Sequence, residues 1–451
     1  MAKEKKIVPE LSSGFRDYLP EDMIPRQQMF DTIRAVFERF GFVPLDTPGL
    51  EKEEILTGGD ENFRMHIFRT DVQVGWDKLA LRFDLTVPLA RVIAQYQNEI
   101  KRPFKRYQVG KVWRAEKPQA GRFREFVQFD ADIVGAASMM ADAEIIALMY
   151  ETMKALGVPN FFIRVNTRKI LNGLAAFAGF QSEKTAAVLR TIDKLDKQGW
   201  EAVYAELSDA TSPEGLALSE NAIAKLKEFL EVRGENQEAT IQAVRTLMQG
   251  VPIVEEGVQD LEKILEGVRA MGVPDDVWAI ELSVARGLGY YTGPVFETVL
   301  KDLPSIGSVF SGGRYDDLVE RFGTINVPAT GASVGVDRLF TALEELGLVK
   351  RRKSVSQVAI LNFDPESGAY IQGIAAGLRR GNIPTEIYLG NEATLKGQLA
   401  YVLNADIPVV IIAGSDERER NAVQVKDLRA RKQVEVSRNQ LLSHIRTILE
   451  V

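Results

Sequence analysis

The sequence predicts an α/β (α+β) protein with a mainly antiparallel sheet, a helical insertion and a smaller C-terminal mixed-sheet α/β domain. Three observations predict it. Residues 110–135 carry a polar hairpin pattern, residues 170–271 have helical periodicity, and Val- and Ile-rich strands alternate with helices after residue 355. A chain of 451 residues is long enough for two or three domains.

The first elements are a helix and a short, interrupted strand. Apolar residues recur at helical spacing between Met23 and Phe40, which predicts an amphipathic helix. Residues 41–51 then predict a strand broken by Pro44 and Pro48. Because proline cannot donate to a neighbouring strand, this strand is expected at the edge of a sheet.

Residues 79–91 (LALRFDLTVPLAR) predict a buried strand that turns into a helix. Asp84 and Thr86 lie on the same strand face. An Asp in this position is usually a helix cap, here of a helix that follows Pro88.

Residues 110–135 (GKVWRAEKPQAGRFREFVQFDADIVG) predict two antiparallel strands joined by a flexible loop at residues 118–121. Cationic and acidic groups flank the loop: Arg114, Glu116, Arg122 and Arg124. Beyond it, alternate positions give one strand face a ring and polar groups: Phe126, Gln128, Asp130 and Asp132.

This mixture of groups favours a nucleotide and an amino acid bound side by side. Guanidinium groups match phosphate oxygens in two hydrogen bonds, an aromatic ring stacks on a base, and carboxylates hold an ammonium or imidazole group. The alternative is an exposed hairpin with ladders of ion pairs. The hairpin by itself favours that alternative. The segments 282–297 and 331–340, described below, favour the binding site instead.

The remaining residues predict two further regions. Ala, Leu, Glu, Lys and Gln at helical spacing in residues 170–271 predict an inserted helical domain. Residues 350–356 are typical of a linker. After it, strands at 358–363, 409–413 and 423–428 alternate with helices and predict a small α/β domain with a mixed sheet.

Composition limits the classes of function. The net charge of −7 argues weakly against nucleic acid as a partner, although a local basic patch such as residues 101–106 can still bind RNA. With no Cys and only His66 and His444, disulfides and thiolate or His-rich metal sites are excluded. A catalytic metal would be Mg²⁺, bound by carboxylates and substrate phosphates. The chain has neither a signal-peptide pattern nor an apolar run long enough for a membrane span, so a cytoplasmic location is expected.

Three segments together resemble the class II aminoacyl-tRNA synthetases, in the version of histidyl-tRNA synthetases. Residues 110–135 are similar to motif 2 of that class. Residues 282–297 (LSVARGLGYYTGPVFE) resemble the histidine-specific signature, and residues 331–340 (GASVGVDRLF) resemble motif 3. Residues 23–51 resemble motif 1, which in the family forms the dimer interface.

The resemblance implies an organisation and an activity. It implies a catalytic domain at residues 1–169 and 272–349, a helical insertion at 170–271 and an anticodon-binding domain at 355–451. The expected activity is ATP-dependent activation of L-histidine to histidyl-adenylate and its transfer to histidine tRNA. The expected partners are ATP with Mg²⁺, L-histidine, histidine tRNA and a second copy of the chain.

The resemblance also implies roles for individual residues. The expected catalytic residues are Arg114, Arg286 and Arg338. The expected ATP-binding residues are Arg114, Glu116, Arg122, Phe126, Arg286 and Arg338. The expected histidine-binding residues are Asp84, Thr86, Gln128, Asp132, Tyr290 and Tyr291. No protein metal ligand is expected.

The chain departs from the family pattern at Gly289, where the histidine-specific signature usually carries Asp. The alternative function is that of a catalytically impaired synthetase paralogue that senses histidine and regulates its biosynthesis. Such paralogues typically lack the C-terminal domain and the ATP-binding arginines, and this chain has both. A synthetase for another amino acid does not fit the RGLGYYTG stretch.

Overall fold

The structure is a computed structural model that describes residues 7–59, 61–75, 77–117, 121–212, 215–285, 289–323 and 325–450. The chain divides into two compact units. The first runs to Arg16 and again from Phe30 to Val349, and the second comprises Asp17–Met29 and Lys350–Val451.

The first unit contains most of the secondary structure. Its strands are β1 Val43–Pro44, β2 Leu50–Lys52, β3 Arg69–Val74, β4 Asp77–Leu81, β5 Phe104–Trp113, β6 Glu125–Val134, β7 Phe161–Thr167, β8 Trp278–Ile280, β9 Pro294–Leu300, β10 Phe310–Arg314 and β11 Ala329–Gly335. The first helix, α1 Pro20–Arg39, begins in the second unit and ends in the first. The remaining helices are α2 Glu53–Thr57, α3 Thr86–Gln95, α4 Met140–Ala155, α5 Arg168–Asn172, α6 Leu174–Ala178, α7 Thr185–Ile192, α8 Leu195–Ser208, α9 Glu220–Glu231, α10 Gln237–Leu247, α11 Pro252–Ala270 and α12 Val336–Glu345.

An eight-stranded sheet in the order β1-β5-β6-β11-β10-β9-β7-β8 forms the centre of this unit. Its six inner strands pair antiparallel, and only the edge strands β1 and β8 are parallel to their neighbours. The predicted hairpin is confirmed: β5 and β6 pair over ten residues, with Trp113 opposite Glu125 at the loop end. The strand predicted at residues 41–51 is divided, and its first part, β1, lies at the sheet edge as expected of a strand that contains proline.

The two faces of β6 have different roles. Phe129 is fully buried, and its ring lies 5.1 Å from Phe37 of α1. Gln128 and Asp130, its neighbours along the strand, point to the opposite face because side chains alternate along a strand. One face of the sheet therefore belongs to the core, and the other carries polar groups.

The helices α5–α11 all lie between β7 and β8, where the sequence predicts the insertion. Each of the helices α9, α10 and α11 buries one apolar stripe, which includes Ile223, Leu226, Ile241, Val258 and Leu261. The proposed limits of the insertion as a separate domain stay a prediction.

The second unit contains a five-stranded mixed sheet in the order β13-β12-β14-β15-β16. Its elements are β12 Val358–Ile360, α13 Gly368–Arg380, β13 Thr385–Ile387, α14 Leu395–Asn404, β14 Val409–Ile412, α15 Ser415–Glu419, β15 Ala422–Asp427, β16 Lys432–Ser437 and α16 Leu441–Leu449. The predicted α/β character is confirmed, although β13 and β16 were not predicted. The strand β12 and the first three residues of β14 are fully buried, which explains their apolar composition.

Candidate active site

A cleft lies on the polar face of the eight-stranded sheet and consists of two adjoining cavities of about 150 and 260 Å³. The smaller cavity has Arg114, Glu116, Arg122, Phe126 and Arg338 among its lining residues, and we call it the arginine side. The larger cavity, which we call the carboxylate side, is lined by Asp84, Thr86, Gln128, Asp130, Asp132, Tyr290 and Tyr291, among others. The arginines and Gln128 line both cavities, so the two sides form one continuous cleft.

Asp132 lies at the centre of a buried network on the carboxylate side. Its Oδ2 lies 2.8 Å from Nη2 of Arg106, which is fully buried, and its Oδ1 accepts a hydrogen bond from the Tyr315 hydroxyl. Burial raises the pKa of Asp132, and the neighbouring Arg106 charge opposes that shift. Opposite it on β11 is Gly331, where a Cβ atom would come within 2.0 Å of Asp132 Oδ1. This glycine is therefore required by the space that the carboxylate occupies.

Asp84 was expected both as a helix cap and, by the resemblance, as a histidine-binding residue, and it has two contacts. Its Oδ1 accepts the Val87 N–H at 3.0 Å, so it does cap α3, although the helix begins at Thr86 and contains Pro88 rather than following it. Its Oδ2 lies 3.4 Å from the Tyr290 hydroxyl and faces the cleft. Burial raises the pKa of the Asp84 carboxyl. The same side chain therefore caps α3 and lines the cleft.

Asp130 and Gln128 are linked through Ser333. Gln128 Nε2 donates to Ser333 Oγ at 2.7 Å, and Ser333 on β11 lies directly opposite Asp130 in the strand pair. Burial raises the pKa of Asp130 to about 7. Asp130 Oδ1 and Gln128 Oε1 are both buried and accept no hydrogen bond from the described part of the protein. Two unsatisfied acceptors therefore lie on the wall of this cavity.

Three tyrosines enclose the same side. The Tyr290 ring lies edge-on to Tyr291 at 5.1 Å and to Tyr315 at 5.9 Å. Burial raises the pKa of all three phenols, with a further contribution from the nearby carboxylates. They therefore remain neutral hydroxyl groups that can donate hydrogen bonds.

On the arginine side, Arg114 lies between two aromatic rings. Its guanidinium carbon is 4.2 Å from the centre of the Phe83 ring and 5.0 Å from that of Phe126, and Nε donates to Phe83 O at 3.4 Å. Burial lowers the pKa of Arg114, whereas Asp84 and Glu116 raise it. Such a group stays protonated at neutral pH. No carboxylate of the described residues forms an ion pair with it.

Arg338 and Arg122 complete this side. Arg338 stands in the first turn of α12, where Nη1 donates to Ser308 O at 2.7 Å. The adjacent Asp337 accepts the Val127 N–H at 2.6 Å and so fixes the start of α12 against β6. Arg122 has no hydrogen-bond or ion-pair partner within the described ranges.

The structure brings the described members of the predicted site into this one cleft. Arg286 and residues 118–120 of the hairpin loop lie outside the described residues. Gly289 is exposed, and a Cβ atom there would meet nothing within 4 Å, so the family's Asp would find room at this position.

The segment 311–316 lies only partly in the cleft. Ser311, Gly312 and Tyr315 line the carboxylate side. Arg314 instead points away from it and forms a buried ion pair with Asp142, with Asp316 at 3.2 Å.

Sequence reasoning missed Arg106 and Ser333 as site residues, and it placed Asp130 on the right face without assigning it a role. Arg106 is in the basic segment 101–106, which was weighed as an RNA-binding patch. That interpretation is wrong for Arg106, which is fully buried, and for Lys105, which pairs with Glu144.

The described residues contain no group of three or more His, Cys, Asp or Glu side chains placed to hold a metal. None of their helices is both long and apolar enough to cross a membrane.

Comparison with protein families gives two matches. The family model described as histidyl-tRNA synthetase matches residues 14–339, and the model described as anticodon binding domain matches residues 357–448. Together they account for nearly the whole chain.

Individual relatives agree with these matches. The "Histidine–tRNA ligase" of Clostridium tetani is 40% identical over 98% of this chain and 99% of its own length. A crystal structure of histidyl-tRNA synthetase from Nostoc sp. PCC 7120 superposes with a TM-score of 0.86 at 32% identity, over 98% of this chain and all of that one. A Bacillus halodurans structure described as an ATP phosphoribosyltransferase regulatory subunit/histidyl-tRNA synthetase has a TM-score of 0.74 over 91% of this chain and all of that one. Its identity of 24% shows a shared fold alone.

Proposed function

Given that the chain belongs to the histidyl-tRNA synthetase family, we propose that its cleft activates L-histidine with ATP and that the enzyme then transfers histidine to the 3′ end of histidine tRNA. The protein is an aminoacyl-tRNA ligase, with ATP as a substrate. The observation that carries the proposal for the cleft is the continuity of an arginine-lined cavity with a carboxylate-lined one. A carboxylate oxygen of histidine attacks the α-phosphorus of ATP, the bond to the β-phosphate oxygen breaks, and pyrophosphate leaves.

The arginine side binds ATP. Two anions must approach each other in this reaction, and charge builds up on the α-phosphate, so fixed positive charge is needed more than a base. Arg114 bridges the histidine carboxylate and the α-phosphate, because it lines both cavities and forms no ion pair with a carboxylate of the described residues. By the family resemblance, Arg286 reaches the α-phosphate from the other side.

The rest of the nucleotide lies along the same wall. Arg122 and Arg338 hold the β- and γ-phosphates. The Phe126 ring stacks on adenine, with Arg338 on the far face of the base, and Glu116 accepts from the adenine amino group. Mg²⁺ enters with the triphosphate, since this ion prefers phosphate and water oxygens as ligands.

The carboxylate side selects histidine. Asp132 and Tyr291 bind the imidazole ring, whereas Asp84, Thr86 and Gln128 accept from the α-ammonium group, and Tyr290 encloses the pocket. An amino acid of similar shape without ring N–H groups would leave these buried groups unpaired. Selectivity therefore follows from acceptors that the fold holds in place before the ligand arrives.

The organisation of the chain supports recognition of tRNA in addition to histidine and ATP. We assign residues 1–169 and 272–349 to catalysis, residues 170–271 to an insertion and residues 355–451 to the anticodon. The last range agrees with the anticodon-binding family match. By the family resemblance the enzyme acts in the cytoplasm as a homodimer, with motif 1 in the interface.

The regulatory alternative is not favoured. Arg114, Arg122 and Arg338 are present in the cleft, and the C-terminal α/β unit is present as well. A regulator that only senses histidine has no use for phosphate-binding arginines.

Pyrophosphate exchange with each of the twenty amino acids tests the proposed function. The full-length protein is expected to exchange label into ATP with histidine alone and to charge histidine tRNA. Exchange with another amino acid, or binding of histidine without exchange, would contradict the proposal. Size-exclusion chromatography with light scattering tests the homodimer separately.

A further inference from the structure

Gln128 lines the carboxylate side of the cleft, and its carbonyl oxygen is unsatisfied. Its Oε1 atom is buried and has no partner among the described residues, whereas its Nε2 atom donates to Ser333 Oγ at 2.7 Å. A side-chain amide can turn over and exchange these two atoms. Something must therefore keep the acceptor, and not the NH₂ group, on the ligand side.

Ser333 can provide that control because its hydroxyl has a single proton. The neighbour of Ser333 across the β6–β11 pair is Asp130, whose carboxylate can only accept when it is ionised. The Ser333 proton is therefore directed to Asp130, and Ser333 Oγ must accept from Gln128. The amide is left with one orientation, in which Oε1 faces the cavity.

We propose that Asp130 and Ser333 are positioning residues for histidine binding, and that they hold the Gln128 amide so that its carbonyl oxygen accepts a hydrogen bond from the α-ammonium group. The inference rests on the proposed placement of Gln128 at that group. Neither Asp130 nor Ser333 needs to touch the reacting atoms. Their effect is on the affinity for histidine and not on the chemical step.

The surroundings of Asp130 favour its ionised form once an ammonium ligand is present. Of the neighbouring charges, that of Arg106 on β5 lowers the pKa of Asp130 most. Arg82 and Arg114 also attract the carboxylate. Asp84 and Asp132 repel it. A bound ammonium group adds positive charge beside these three carboxylates and so favours the ionised form of Asp130.

The test is pyrophosphate exchange by the full-length enzyme with Ser333→Ala. The KM for histidine is expected to rise roughly tenfold, as for loss of one oriented hydrogen bond to a charged group, while kcat and the KM for ATP stay within about twofold. Ser333→Thr keeps the hydroxyl on a strand that tolerates a β-branched residue and is expected to restore most of the affinity. An unchanged KM for histidine in Ser333→Ala would overturn the proposal.

A double-mutant cycle with Gln128→Ala separates this proposal from the proposed site. In the Gln128→Ala background, Ser333→Ala is expected to change the KM for histidine by less than about twofold, because its effect passes through the missing amide. A full tenfold effect in that background would overturn the positioning role and leave the activity intact. If Gln128→Ala itself left the KM for histidine unchanged, the placement of Gln128 would be wrong.

A ligand without the amino group gives a further readout. The probe is 3-(imidazol-4-yl)propionate, a histidine analogue that lacks the α-ammonium group, measured as a competitive inhibitor. Its inhibition constant is expected to be equal in the wild type and in Ser333→Ala. If Ser333→Ala weakened this inhibitor as much as it weakened histidine, the cavity as a whole would have changed, and the proposal would fall.

Discussion

The two sides of the cleft hold their charges in different ways. On the carboxylate side, Asp132 is bound by Arg106 and Tyr315, and Asp84 by the start of α3. On the arginine side, Arg114 and Arg122 form no ion pair with any described residue. One side is therefore largely neutralised by the protein itself, whereas the other keeps positive charge for a ligand.

The difference follows from the charges and hydrogen-bonding groups of the two ligands. A triphosphate carries several negative charges, so unpaired guanidinium groups gain more from the ligand than from a protein carboxylate. A histidine side chain brings only weak donors, so it is recognised by groups whose positions are already fixed. Arg314 shows the other use of arginine in the same sheet: it is buried, paired with Asp142 and turned away from the cleft.

The largest expected effect is on the arginine side. Arg114→Ala should lower kcat/KM for pyrophosphate exchange by roughly 10³-fold, because it removes charge at the point where negative charge builds up. Arg114→Lys is the matched variant: it keeps the charge but not the two-pronged geometry and should recover only part of the activity. A loss of less than about tenfold in Arg114→Ala would show that the unpaired arginine is not used in the reaction.

A smaller and different effect is expected on the carboxylate side. Asp132→Asn should raise the KM for histidine by roughly 100-fold, through loss of a charged acceptor for the ring. It should also lower the free energy of unfolding by roughly 3 kcal/mol, because the charge of Arg106 stays buried without its counter-ion. Exchange kinetics and urea denaturation measure the two effects.

Asp142→Asn provides the control for that experiment, since it removes the buried partner of Arg314 outside the cleft and leaves only Asp316, at 3.2 Å. A loss of stability no larger than that of Asp132→Asn is expected there, with the KM for histidine changed by less than about threefold. If both variants raised the KM for histidine equally, the effect of Asp132 would be one of stability and not of recognition.

On the carboxylate side, local periodicity alone predicted only the positions of the β6 residues. Alternation along β6 was enough to place Gln128, Asp130 and Asp132 on one face, and that face lines the cleft. The partners of these residues come from distant segments: Ser333 lies opposite Asp130 only because β11 pairs with β6 in one particular register. That register is a tertiary property, so no local pattern could have predicted it.

The buried position of Arg106 also could not be predicted from the local sequence. Its cationic neighbours made the segment resemble a basic patch, but alternation along β5 turns Arg106 towards Asp132, directly opposite it on β6. The arginine side was easier to predict because its residues are recognised by the motifs that contain them. Their individual roles stay predictions, as do the limits of the domains.

The smallest expected effect is a dependence of histidine binding on pH. Burial raises the pKa of Asp130 to about 7 in the empty site, so near neutrality a fraction of the molecules carries a neutral Asp130. An ammonium ligand favours the ionised carboxyl and lowers its pKa, so binding at lower pH must release a proton. The KM for histidine should therefore rise as pH falls from 8 to 6, by up to about tenfold per unit once pH is below the pKa of the empty site.

Asp130→Asn separates the contribution of Asp130 to this pH dependence from that of the ligand. The imidazole of free histidine also titrates near pH 6, but it affects the wild type and the variant equally. The ratio of the KM values of wild type and variant should change between pH 6 and 8 and level off above pH 8. On the arginine side, the KM for ATP should show no corresponding difference between the two proteins, since the group that titrates lies at the other end of the cleft. A constant ratio of the KM values for histidine would mean that Asp130 keeps one charge state throughout, and that the carboxylate side is as permanently charged as the arginine side.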